Sequence, residues 1–415
     1  MSMEEKKKVT RATREATVGP LDRPPPEALS PTQSPSTNKP LPAIQESLST
    51  QHLPVENQES IETSTRKALT DPRVFEPIPA AFSLSFVLGK HPASAEDLEI
   101  ANLLQEGQYY LVIQRTQSLL TSSSTDTLPL QEIWSLWILR IECFRLLFAP
   151  RPAAIELNRL KLPAEARIPW DFQVLRTLIM GMASSRWTVV VNEWLAMAGD
   201  TRRAMKEQLD AAEEDKKEQI RGLWTGRLQK LEELVCYGLI EGKEYDLAVR
   251  HLRRLIEKYA RDEEETEKYT SSLFHVYLQM GRLDLAEPIL DKLPSEKRGS
   301  SSALLDLAKE DYASALQKYT SLIREQQGNL LYTTNLALTH LYTANVQSAI
   351  ATLEPKLQQP GAKRGILPHA VFNLNTMYEI RDDKARSRKE AIMESVVGNY
   401  GDVCGKGHFK LDSLR

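Results

Sequence analysis

Between residues 226 and 397 apolar side chains recur at helical spacing, and a short alanine-centred phrase returns four times. It reads Gly242 to Tyr245, Ala248 and Leu252; then Gly281, Leu283, Ala286 and Leu290; then Tyr312, Ala315 and Tyr319; then Val346, Ala349 and Leu353. The pattern predicts helical hairpins. Two helices approach closely only where a small side chain sits at the crossing, which assigns the alanines to the crossings. The bulky residue three positions earlier, Tyr245, Leu283, Tyr312 or Val346, wedges under the turn. The preceding helices fit as well, with Leu273 and Tyr277 before Gly281, and Leu336 and Tyr342 before the fourth turn. A fifth unit opens at Phe372, Leu374 and Tyr378, with its second helix expected over Ala385 to Val397.

Ala248, Ala286, Ala315 and Ala349 stand 38, 29 and 34 residues apart. These spacings bracket the period of about 34 that marks tetratricopeptide repeats. One such unit cannot bury its own apolar face, so several must stack. The predicted fold is therefore all-α: a tetratricopeptide-repeat (TPR) α-solenoid of about five units over 226–397, followed by a C-terminal tail at 398–415.

Upstream the pattern changes several times. Residues 1–70 carry nine prolines among Ser, Thr, Gln and Glu and few bulky apolar side chains. Such a segment buries too little apolar area to offset the cost of ordering, so a disordered tail is expected. Within it Ser30-Pro31 and Ser34-Pro35 are candidate phosphorylation sites, and Lys6 to Lys8 read as a solvating run. Residues 71–92 combine prolines 72, 77 and 79 with Phe75, Ile78, Phe82 and Phe86, which suggests an extended strap anchored by those apolar side chains. Divergent helical pairs are predicted over 93–200. They open with a capping box at Ser94 to Asp97, turn at Gly107, and hold a core stripe of Trp134, Trp137, Ile138, Ile141 and Leu147. Pro150, Pro152, Pro163 and Pro169 mark a loop-rich connection, within which Ala153 to Leu160 can make a helical turn or two. Residues 201–225 hold nearly balanced charges and almost no apolar stripe, predicting a solvated helical extension with a bend at Gly222 or Gly226.

Composition narrows function by exclusion. A formal charge of −3 and a pI near 6.2 give no electrostatic footprint for nucleic acid or an anionic membrane surface. Three cysteines, Cys143, Cys236 and Cys404, lie far apart and make no disulfide framework. The N-terminus lacks the apolar run of a signal peptide, and the most apolar stretch is interrupted by Arg140, Glu142 and Arg145, which suggests a cytoplasmic protein without membrane insertion. Gly238 to Lys243 and Gly401 to Lys406 superficially echo a phosphate loop, but each has three residues between its glycines where four are needed. Cys404 and His408 offer two zinc ligands without a second pair. No catalytic motif, metal site or cofactor site is expected.

Binding remains. In a TPR array the first helix of each unit lines a concave groove, and the register set by the alanines assigns its outward positions. They are Lys230, Glu233, Tyr237 and Ile240; Lys268, Ser271, His275 and Leu278; Leu331, Thr334, Leu338 and Leu341; His369, Phe372, Thr376 and Glu379. The later positions are apolar enough to expect an occupant, either a partner's helix or peptide or the chain's own strap or tail. A carboxylate clamp of the co-chaperone type is excluded, because Leu331 and His369 stand where lysines would precede Asn335 and Asn373.

Residues His369 to Ile380 and the basic stretch Lys384 to Ile392 closely resemble the C-terminal repeat of the twelfth-subunit family of TRAPP, the transport protein particle. Glu244 to Ile256 resembles it too, and Asn335 to Tyr342 less closely; the likeness covers roughly 165–415. It implies a non-catalytic scaffold subunit of TRAPP III, peripheral to early secretory and Golgi membranes and acting in endoplasmic reticulum-to-Golgi transport and autophagy. Its partners would be core and TRAPP III-specific subunits, with only indirect contact to a Rab-type GTPase and vesicle membranes. An adaptor of an unrelated multiprotein complex is the alternative.

Overall fold

A computed structural model describes residues 55–90, 99–122, 125, 127–260, 262–381 and 385–411. The segment before residue 55, with Ser30, Ser34 and Lys6 to Lys8, lies outside the described residues, as do Ser94 to Asp97 and the side chain of Phe86. Every regular element among the described residues is helical. In chain order these are α1 (Val55–Leu69), α2 (Leu84–Val87), α3 (Ile100–Glu106), α4 (Tyr109–Thr121), α5 (Leu130–Leu146), α6 (Pro150–Arg159) and α7 (Trp170–Ser184). Then follow α8 (Trp187–Ala211), α9 (Glu214–Glu241), α10 (Tyr245–Tyr259), α11 (Glu263–Gln279), α12 (Leu283–Leu290) and α13 (Ser295–Ala308). The last are α14 (Tyr312–Glu325), α15 (Leu330–Tyr342), α16 (Val346–Leu357), α17 (Leu367–Arg381), α18 (Ala385–Tyr400) and α19 (Lys406–Phe409). The architecture is an all-α solenoid of consecutively packed helices.

The chain divides into two compact units. Among the described residues, the first holds 55–79 together with 109–255. Its core is aromatic. Trp134 and Trp137 meet the Phe172 ring edge-on at 4.8 and 6.5 Å, and Trp187, Val190, Val191 and Trp194 pack on Leu228, Leu231, Leu234 and Val235. The tryptophan stripe of α5 is therefore core.

Three expectations for the chain up to residue 241 need correction. Disorder does not extend to residue 70, because Val55–Leu69 is helical with Thr65 and Leu69 buried. Tertiary contacts supply what composition lacks: Arg66 donates to the carbonyls of Thr125 and Leu128, and Trp137 Nε1 donates to the Leu69 carbonyl. The strap is only partly extended, since Pro72–Val74 and Ala80–Phe82 form 3-10 turns. Phe75 is buried and Ile78 half-buried, whereas Phe82 is 36% exposed, a weaker anchor than expected. The charged stretch belongs to two long helices. Helix α8 continues to Ala211, the break falls at 212–213, and α9 runs through Gly222 and Gly226 as one helix, so the helix that opens the array starts at Glu214, ahead of the boundary expected at 226. The two helices are joined where Trp224 Nε1 donates to Gln208 Oε1 at 2.8 Å.

The second unit holds 80–108 and 256–415. Here α11 packs on α12, α13 on α14, α15 on α16 and α17 on α18, and each pair also packs on the next. Ala286, Ala315 and Ala349 are fully buried, as Ala248 is in the first unit, which fits their placement at the crossings. The turns share one geometry: a left-handed residue at Lys243, Gly281, Glu310 or Ala344 lies two positions before the second helix. The next amide then reaches back five residues, Glu244 to the Leu239 carbonyl, Arg282 to Tyr277, Asp311 to Asp306 and Asn345 to His340. This closes the Schellman pattern that satisfies orphan carbonyls. The positive φ falls on Lys243, not on Gly242, which is right-handed. Asp311 and Asn345 then cap α14 and α16 by accepting from the amides of Ser314 and Ser348.

Candidate docking surfaces

The predicted groove positions divide by depth. Ile240, Leu278, Thr334, Leu338 and Thr376 are buried, whereas Tyr237, His275, Leu331, Leu341, His369 and Phe372 are half-buried. Several are committed inward. The Tyr237 ring meets Trp187 edge-on at 5.5 Å, and Leu331 packs on the cluster of Ala303, Tyr319 and Tyr332. Thr334 and Thr376 bond the carbonyls four residues back in their own helices. Asn335, one residue weighed for a carboxylate clamp, is buried and donates to the Tyr319 hydroxyl at 3.1 Å. Close helix packing thus consumes residues that a one-dimensional register assigns to a groove wall.

The fifth pair is different. Phe372 and Glu379, both read from the register, meet the residues that follow α18, so the expected tail is in fact a packed segment. Lys410 Nζ lies 4.7 Å above the Phe372 ring and 2.9 Å from Glu379 Oε2, and Lys389 Nζ also pairs with Glu379. Burial opposes ionisation of Glu379, but the hydrogen bonds from Lys389 and Lys410 outweigh it and hold the carboxyl below its usual range. Asn375 Nδ2 and Lys389 Nζ donate to the main-chain carbonyls of His408 and Lys410 at 3.1 and 3.2 Å. Phe409 is fully buried. The register gave Phe372 and Glu379 and offered the chain's own tail as an occupant, but not which tail residues dock, because a four-residue helix carries no periodicity.

The first unit carries an open cleft of about 830 Å³ formed by Ala166 to Ile168, α7 and α8. Met180, Val190 and Met197 give it an apolar floor, with Arg167, Arg176, Arg186, Glu193 and Asp200 among its polar lining. Nothing in the sequence pattern singled it out, since its residues come from a proline-bounded loop and the outer faces of two helices.

Burial pushes the Cys236 thiol up to about 12, and raises Cys143 and Cys404 as well, so all three stay protonated and unreactive at neutral pH. Among the described residues no group of three or more His, Cys, Asp or Glu is placed to hold a metal ion. Near Cys404, the His408 Nδ1 accepts from the Gly405 amide at 3.0 Å. No described helix is long and apolar enough to cross a membrane.

No family model matches the chain. Two curated proteins do. The chain is 27% identical over 191 residues to "Trafficking protein particle complex subunit 12" of Homo sapiens, and 26% identical over 191 residues to its namesake in Mus musculus. The chain is a distant relative of these subunits. Each match covers 43% of this chain, but only 25% and 24% of the two relatives, so the chain spans about a quarter of their length.

Proposed function

We propose that this chain is a non-catalytic scaffold subunit of a transport protein particle, of the TRAPP III type. Its helical pairs from α9 onward serve as about five repeat units that hold core and TRAPP III-specific subunits together. Nucleotide exchange on a Rab-type GTPase then belongs to those other subunits, and this chain meets the GTPase and vesicle membranes only through them. The cellular setting is the cytoplasmic side of early secretory and Golgi membranes, in endoplasmic reticulum-to-Golgi transport and autophagy. The observation that carries the proposal is the 27% identity over 191 residues to a named particle subunit. An all-α solenoid with protonated, buried thiols agrees with it.

The test is mild purification of the tagged full-length chain from its native cells, with mass spectrometry of co-eluting proteins. Recovery of particle subunits in fixed ratio is the expected result. Recovery of the chain alone, or with an unrelated assembly, overturns the assignment. To probe the repeat face, Leu341→Lys is the better substitution, because Leu338 is buried and a lysine there would unfold the pair instead.

A further inference from the structure

We propose that the exposed side of α17 is a binding seat for a short linear peptide with an aromatic residue followed by a base, and that Gly405–Lys410 fills it in cis. The seat does two separable jobs. Asn375 and Lys389 grip main-chain carbonyls of the segment, at His408 and Lys410, which is recognition independent of side-chain identity. Phe409 enters fully from solvent, while Glu379 and the Phe372 ring together receive the Lys410 ammonium, which is recognition of an aromatic and a cation.

Two features distinguish this arrangement from ordinary core. The gripping groups are themselves buried: Lys389 is 5% exposed and Asn375 fully enclosed, so each needs a polar partner that the helical pair does not wholly supply. Lys389 finds Glu379 and the segment's carbonyl. Asn375 is satisfied only on its amide nitrogen, by the carbonyls of Val371 and His408, and its buried Oδ1 has no hydrogen-bond partner among the described residues. A peptide that offers Asn375 a main-chain N–H as well as a carbonyl would satisfy both ends. The cis segment is therefore an incomplete occupant that a better-matched ligand can displace. The inference does not depend on which assembly the chain joins.

The probe is a dye-labelled peptide with the sequence of residues 405–411, titrated by fluorescence anisotropy into full-length chains. Lys410→Glu loosens the cis segment while leaving the seat intact, so this chain binds the peptide at least tenfold more tightly than the wild type. Peptides carrying Phe409→Ala or Lys410→Glu lose at least tenfold. Adding Glu379→Gln to the Lys410→Glu chain, which still leaves buried Lys389 an acceptor, weakens binding at least tenfold without changing its helical circular dichroism. A folded Lys410→Glu chain that ignores the wild-type peptide overturns the proposal. Should that variant not fold, amide exchange of the wild type decides: exchange of 406–410 in a local opening, faster than Leu374 to Tyr378, is expected. Exchange of both segments at one common rate would make 406–410 a fixed part of the core, and the proposal would fail.

Discussion

Arg140 and Glu156 are both fully withdrawn from solvent. The guanidinium meets the carboxylate twice, at 2.8 and 2.6 Å, donates to the Ile113 carbonyl, and lies 4.9 and 5.2 Å from the Phe75 and Phe144 ring centres. Glu156 also accepts from the Glu76 amide at 2.9 Å, so the pair pins the start of the strap. Removing one partner strands a buried charge, and Arg140→Ala should cost about 3–5 kcal/mol in a denaturant titration. The double change Arg140→Met with Glu156→Leu should recover most of that loss, because no charge then remains buried. His275 offers a second test. Burial depresses its pKa first, with the Lys297 charge acting in the same direction and the bond to the Ser271 carbonyl opposing both. The unfolded imidazole titrates near about 6.5 and the folded one lower, so stability is full above about pH 6.5 and falls as the pH drops towards the folded value. His275→Gln should flatten that slope in melting curves recorded between about pH 7 and pH 5.

At the scale of elements, the turns carry a removable strain. Lys243, Glu310 and Ala344 hold φ near 62, 64 and 62°, where an L side chain is disfavoured and glycine is not. Ala344→Gly should raise stability by roughly 0.5–1 kcal/mol after allowance for the looser unfolded chain, read as a higher melting temperature. The opposite change at a crossing should be harmful. Ala315 is fully buried, and Ala315→Leu should cost about 1–3 kcal/mol through overpacking between α13 and α14. These elements were legible because a small residue at a crossing, with a bulky residue three positions before it, returns every 29 to 38 residues. Legibility failed where stability comes from afar. Helix α1 looked like tail because its support arrives through Arg66 and Trp137, and the α8–α9 junction looked solvated because Trp224 and Gln208 meet across a break no periodicity marks. Depth along the register was hidden for a third reason: Leu331 and Tyr237 sit at correct helical intervals, yet each is half-buried because its side chain also packs on the core.

At the scale of the whole molecule, the second unit is discontinuous in sequence, and its two segments are fastened at 83–108 and 400–403. The buried Asp402 carboxylate accepts from the Ser83 hydroxyl, the Ser85 amide and the Ser85 hydroxyl, while its own amide donates to the Gly107 carbonyl at 2.9 Å. Arg364 Nη1 donates to the Leu104 carbonyl at 3.1 Å, and Arg364 Nη2 to Gln105, closing the C-terminal turn of α3 with a cation. Backbones meet so closely here that only glycine fits on either side. A Cβ on Gly107 would collide with the Tyr400 carbonyl, and one on Gly401 would stand 2.6 Å from the Glu106 carbonyl, with φ positive at both. Gly401→Ala therefore meets backbone that cannot swing aside, and left-handed strain adds to the clash. Because the fastening joins segments some 300 residues apart in sequence, its loss acts on both at once, like opening a long loop closure. In native-state amide exchange of Gly401→Ala, residues 84–88, 100–108 and 400–410 should lose protection together, while α14 and α15 keep theirs. Loss of protection confined to 400–410 would mean that the N-terminal segment holds its place by other contacts, and the shared fastening would not exist.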